Sequence, residues 1–236
     1  KGSRSAAVGR FERATLEVDT NRRSGRATYM MTFRGSLGLV AIFGLFSMAA
    51  ASPWFYHGLE GPSFTEKNTT SSGLEIRSYP ESYWTATTVT GKNMDSAGSE
   101  AFMRLFRYIS GDNERNEKIE MTVPVLASVV PGQGPFCEEN FTYHFYLPKK
   151  FQSNPPKPSD PRVTNVALPA LDVAVISYPG WSNEKAVIEN GRELFQELKA
   201  AKVPYDAEMF YTAGYDSPFR LTDRHNEVWV KLESTA

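Results

Sequence analysis

The 236-residue sequence is poor in cysteine, in histidine and in net charge, and each shortage removes a class of function. A single cysteine, Cys137, has no partner for an internal disulfide and excludes a multi-cysteine zinc site. The three histidines, His57, His144 and His225, form no His-Glu-x-x-His helix, and Cys137 and His144 lack a recognisable catalytic spacing. There is no nucleophile elbow and no phosphate loop, so an enzyme is not expected. The net charge of −1 conceals an asymmetry. Residues 1–51 hold 8 Lys and Arg against 3 Asp and Glu, which leaves 18 basic and 24 acidic residues in 52–236. An acidic domain without a basic stripe is a poor partner for nucleic acid, whose binding rests on neutralising phosphates.

What the sequence has instead is aromatic side chains. They make up 13% of the chain, within an apolar fraction of 41% that is ordinary for a protein with a buried core. Aromatics fill cores and also line sites for flat ligands, so the excess fits both uses. The length fits one domain or two small ones.

Residues 1–29 are Arg-rich without apolar periodicity and are expected to be disordered, or to precede the native start at Met30 or Met31. Residues 30–51 then read as a signal peptide. Arg34 is the basic flank, 37–46 is an apolar run (LGLVAIFGLF), and Ala49, Ala50 and Ala51 are the small residues of a cleavage step. An uncleaved anchor is the rival, because no formally charged residue falls between Gly35 and Leu59, and a mitochondrial presequence is a third option. Gly38, Gly44, Pro53 and the small-residue step favour cleavage, with no stable membrane insertion afterwards. Two glycosylation sequons, at Asn68 and Asn140, agree with a secreted or lumenal protein.

Beyond a linker at 52–73, the domain at 74–236 repeats one order of elements. Residues 74–89 read as two extended runs broken at Tyr79-Pro80. Asp95 caps a helix to about Ile109 with Ala97, Ala101, Phe102, Leu105 and Phe106 on one side. Strands follow at 119–130 and 141–147. After a proline-rich loop come strands at 163–166 and 173–178, and then a helix from Gly180 to about Ala201. The last strands are expected at 208–212, 219–221 and 227–232. Strand–helix–strand–strand twice over predicts an α+β fold, a distorted antiparallel β-barrel with two α-helices and a pseudo-twofold repeat.

Three stretches are distinctive: Lys118-Ile119-Glu120-Met121-Thr122-Val123-Pro124-Val125, Tyr211-Thr212-Ala213-Gly214-Tyr215-Asp216-Ser217-Pro218, and Asn226-Glu227-Val228-Trp229. With Leu74-Glu75-Ile76-Arg77 before them, residues 74–231 resemble the SOUL/haem-binding protein family. The resemblance implies a distorted β-barrel with two helices and a non-covalent site for haem or a related tetrapyrrole. Each stretch also has a structural reading, as a core strand ending at Pro124, a turn at Gly214 and a core tryptophan at Trp229.

A haem site needs an apolar slot, cations for the propionates and, optionally, an axial ligand. In the family the proposed axial histidine follows the Ile-Arg of the first strand, and here that position is Ser78. The resemblance further implies a groove beside the first helix, onto which it places Phe102 and Phe106. Arg220 of the Tyr-Asp-x-Pro hairpin falls at the position of the basic residue implicated in propionate contact. Ser99 stands where some members carry a second arginine. Phe102 and Phe106 read equally well as plain core. Alternation puts His144 opposite Phe141, Tyr143, Phe145 and Leu147, as a surface or second-layer residue. His57 is expected at a mobile terminus and His225 on a polar surface. The leading expectation is a haem or tetrapyrrole carrier or buffer. The alternatives are an interaction module that has lost haem binding and a small-ligand hydrolase using Glu227.

Overall fold

Period-two alternation sorts the domain into a sheet with two unlike faces. The computed structural model describes residues 52–67, 74–91, 93–130 and 139–233. Within them are nine strands: β1 (Thr65–Lys67), β2 (Glu75–Tyr79), β3 (Ser82–Gly91), β4 (Val125–Val130), β5 (Glu139–Tyr146), β6 (Val163–Leu168), β7 (Leu171–Tyr178), β8 (Phe210–Gly214) and β9 (Asn226–Lys231). Helix α1 (Met94–Ile109) follows β3, and α2 (Glu184–Ala201) follows β7. The strands form one antiparallel, curled sheet in the order β1-β2-β7-β9-β8-β4-β5-β3-β6, the α+β half-barrel that the alternation predicts.

The repeat is visible in this order. At the centre β4 pairs with β8, Val125 opposite Gly214 and Val129 opposite Phe210. On either side stand β5 then β3, and β9 then β7. The outer strands are exchanged: β2, which precedes β3 in the chain, pairs with β7, and β6, which precedes β7, pairs with β3. Each half therefore completes the other half's sheet.

On β5, Phe141, Tyr143 and Phe145 join the core beneath the helices, whereas Tyr146 joins a second core on the opposite, concave face. On β9, Val228 and Val230 lie under the helices and Trp229 on the concave face. Helix α1 buries Ala97, Ala101 and Leu105, and α2 buries Val187, Leu194 and Leu198. A buried leucine cut to alanine in such a core costs about 2–5 kcal/mol. Among the described residues no helix is long and apolar enough to cross a membrane.

Four local expectations change. The cap of α1 is Asn93, whose side chain accepts from Asp95 N and Ser96 N. Asp95 lies inside the first turn, where its charge complements the helix dipole. The strand expected from 119 begins only at Val125, because Pro124 has no N–H for a ladder. Thr122 instead makes an isolated bridge to Glu60 and donates to the Tyr146 carbonyl at 2.6 Å. Residues 219–221 form no strand: Pro218 and Phe219 are a turn, closed by Arg220 N donating to the Ser217 carbonyl at 3.0 Å.

The fourth concerns the expected linker, which is folded over much of its length. Phe55 and Tyr56 are buried in the concave core, and β1 pairs with β2. Its glycines and prolines read as punctuation, but the aromatics between them supply buried area. The signal-peptide residues 30–51, Asn68 and Cys137 lie outside the described residues.

Candidate functional site

Of the residues singled out for the haem site, Phe102 and Phe106 pack together on α1, and Arg220 lies in the β8–β9 connection. Phe102 is half-buried, edge-on to Phe145 with centroids 5.3 Å apart, and stacked on Phe106 at 5.8 Å. Phe106 is 43% exposed. Arg220 belongs to the β8–β9 connection. Its Nε lies 3.2 Å from Asp216 Oδ1 and donates to the carbonyls of Thr222 (3.0 Å) and Asp223 (3.3 Å). Among the described residues no contact joins it to Phe102 or Phe106. Ser78 stands between Thr65 of β1 and Asp172 of β7, and the Ser99 hydroxyl turns back to the Asp95 carbonyl.

The histidines are more ordered than their sequence context implies. His144 faces away from the helices as expected, yet it is buried, edge-on to Trp84. Burial pushes its imidazole down to about 4. His57 is not at a loose end: its Nε2 lies 3.0 Å from Asp216 Oδ1. His225, expected on a polar surface, stacks on Phe55 at 4.2 Å and meets Glu227 Oε1 through Nε2 at 2.7 Å. For His57 and His225 the cause is the segment from Trp54 to Phe64, which the linker reading left open and which packs Trp54 and Phe55 against His225.

Glu227 is wholly buried on that face. Oε1 meets Arg77 Nη1 (2.9 Å) and His225, while Oε2 accepts from Tyr215 OH (2.6 Å) and Trp229 Nε1 (2.7 Å). Burial alone would raise its pKa. The His225 hydrogen bond, the Arg77 charge and the Tyr215 hydroxyl outweigh burial and hold the carboxyl below its ordinary range. A carboxylate so fully engaged acts as a tie within the fold and has little capacity left for a ligand.

A space of ligand size opens on the opposite face, between α2 and the centre of the sheet. It measures about 480 Å³, within the range of small-molecule sites. Val129, Phe141 and Phe210 form its floor, Val187, Ile188, Gly191 and Phe195 its helical wall, and Met94 of α1 one end. Glu184 accepts from Met94 N at 3.1 Å, tying the starts of the two helices together. Gly191 leaves the wall open, since a Cβ built there would meet only Val228 Cγ1, at 3.9 Å.

At the rim stand Arg192, Gln196 and Lys199. Arg192 and Lys199 are exposed and have no carboxylate partner among the described residues. They are one heptad apart on α2, about 10 Å along the axis. The lining holds no histidine. Met94 and Tyr205 are of types that ligate haem iron.

The family model described as "SOUL heme-binding protein" matches residues 59–231. "Heme-binding protein 2" of Mus musculus is 39% identical over 66% of this chain and 76% of its own length, and that of Homo sapiens 38% over the same shares. "Heme-binding protein 1" of Mus musculus is 30% identical over 60% of this chain and 75% of its own length. Among solved structures, the C-terminal domain of EcmrR superposes with a TM-score of 0.51 at 10% identity, covering 73% of this chain and 99% of that one. EcmrR in its DNA complex gives 0.54 at 9% identity, covering 69% and 57%. These two share the fold.

Proposed function

Because the chain belongs to the SOUL heme-binding protein family, we propose that it holds haem, or a related tetrapyrrole, non-covalently in the cleft under α2, as a carrier or buffer. The observation that carries this reading is the cleft itself: an apolar slot of about 480 Å³ whose rim presents two cations without carboxylate partners. A tetrapyrrole has the matching anatomy, a flat apolar body with carboxylates along one edge. Burying apolar surface contributes about 25 cal/mol per Å². A well-made charge-assisted hydrogen bond to a propionate adds about 1.5–3 kcal/mol, and less where water competes. Arg192 and Lys199 would hold the carboxylates, while Phe195, Phe141 and Phe210 would enclose the ring. Bound haem would supply the iron. The chain's own part is to bind, orient and exclude water.

The test is a Soret titration of the purified chain against free haem and albumin controls. Saturable one-to-one binding is expected, and Arg192→Glu with Lys199→Glu should weaken it tenfold or more. Phe106→Ala and Arg220→Gln, both outside the cleft, should bind like the parent. If the charge-reversed double variant stays folded and binds unchanged while Phe106→Ala fails, the site lies beside α1 instead.

A further inference from the structure

The loop between β8 and β9 withholds its largest apolar side chains from the fold. Phe219 is 90% exposed and Leu221 78%. Two more exposed aromatics stand beside the same loop, Trp54 at 67% and Trp181 at 53%. Trp54 packs edge-on to His225 at 5.4 Å, and Trp181 lies under the Arg224 guanidinium at 4.1 Å. Scattered exposed apolar residues need no explanation, but four at one end of a sheet do.

The loop is also braced. Arg220 Nε is held by the Thr222 and Asp223 carbonyls and by Asp216. Arg224 Nη1 donates to the carbonyls of Ser217 (2.9 Å) and Arg220 (2.7 Å). Asp216, its side chain wholly buried, accepts from His225 N at 2.6 Å. Phe219 and Leu221 are therefore presented outward by a fixed backbone, and inserting them elsewhere would cost little further ordering entropy. The Nη groups of Arg220 and Nη2 of Arg224 make no hydrogen bond among the described residues, so both guanidiniums have donors to spare.

We propose that this end of the molecule docks on a phospholipid bilayer. Phe219 and Leu221 enter the boundary between headgroups and acyl chains, Trp54 and Trp181 lie at headgroup depth, and Arg220 and Arg224 donate to lipid phosphates. One feature favours a bilayer over a protein partner. The apolar groups form a projecting tip flanked by tryptophan and arginine, whereas a stable protein interface needs roughly 800 Å² of matched surface on each side.

The full chain is mixed with vesicles of phosphatidylcholine and phosphatidylserine, some with brominated acyl chains. An environment-sensitive fluorophore is placed at Phe219→Cys in a Cys137→Ser background, with Lys150→Cys, on an exposed side chain, as the comparison site. Blue shift and bromine quenching at 219 but not at 150 are expected, and Phe219→Ser with Leu221→Ser should lower vesicle partitioning at least tenfold. A vesicle-bound chain whose 219 label is unquenched would place the membrane contact elsewhere in the chain and would overturn the docking face. So would a chain that ignores vesicles, or a label at 219 that responds only to a protein partner. Haem titration of the double serine variant should match the parent, which keeps this proposal separate from the cleft.

Discussion

Arg77 and Glu227, 150 residues apart in the chain, meet at 2.9 Å with neither side chain open to solvent. The pair joins β2, the strand exchanged from the first half, to β9 of the second, so it ties the two halves where the sheet is most entangled. Phe64 and Phe55 cover the guanidinium at 4.5 and 5.5 Å.

Breaking this tie should be costly. Glu227→Leu leaves the Arg77 guanidinium with Glu75 as its remaining carboxylate partner and deprives Tyr215 and Trp229 of their acceptor, which should remove about 3–5 kcal/mol of stability. Arg77→Met combined with Glu227→Leu should recover only part of that loss, because Tyr215 OH and Trp229 Nε1 still lose their buried acceptor. Denaturant midpoints of both single variants and the double variant measure the coupling. A Glu227→Leu chain within 1 kcal/mol of the parent would show that solvent reaches the site.

His144 should make the fold acid-sensitive. The unfolded chain takes up a proton near the ordinary histidine value of 6.5, whereas the buried ring does so only near 4. The unfolded state therefore binds more protons between these values, and stability falls as pH drops from 6.5 towards 4, by up to about 3 kcal/mol. His144→Leu should flatten melting temperature across pH 7 to 5. An equal slope in the variant would assign the sensitivity to other groups.

Export should leave a mark at Asn140. Its side chain is exposed at the start of β5, and Thr90 Oγ1 donates to its Oδ1 at 2.8 Å, which leaves the amide nitrogen for a glycan. Expression in a secreting cell line should give a glycosidase-sensitive product beginning near Ser52, with Asn140→Gln reducing its mass. Full-length, unglycosylated protein in the cytosol would end the secretory reading.

The fold was legible in the sequence because alternation and helical stripes are local signals. Phe141, Tyr143 and Phe145 announce one face of β5, and Ala97, Ala101 and Leu105 one side of α1. The exchange of β2 and β6 between halves was not legible, since it depends on pairing across the whole domain. The burial of Phe55 and Tyr56 was hidden by the glycines and prolines around them, and with it the engagement of His57 and His225. The cleft was hidden for a related reason. Met94, Phe141, Gly191 and Phe210 come from four separate elements, and only the docking of α2 brings them to one space. Arg220 was placed by resemblance alone, and the engagement of its Nε within its own hairpin depends on the turn geometry at 217–223.

Gly191 offers the sharpest test of the cleft, because two substitutions there should act in opposite ways. A glycine inside a helix costs about 0.5–1 kcal/mol relative to alanine. At this position the added Cβ meets only Val228 Cγ1 at 3.9 Å, an ordinary contact. Gly191→Ala should therefore stabilise the chain by up to about 1 kcal/mol and leave haem affinity nearly unchanged. Gly191→Phe sends a ring into the space that the tetrapyrrole would occupy. Its helix should persist, yet binding should fall tenfold or more, equivalent to about 1.4 kcal/mol. Melting temperature and Soret titration on the same two variants separate packing from occupancy. If Gly191→Phe melts like Gly191→Ala and still binds haem at the parent affinity, the ring and the ligand do not compete and the cleft is not the site.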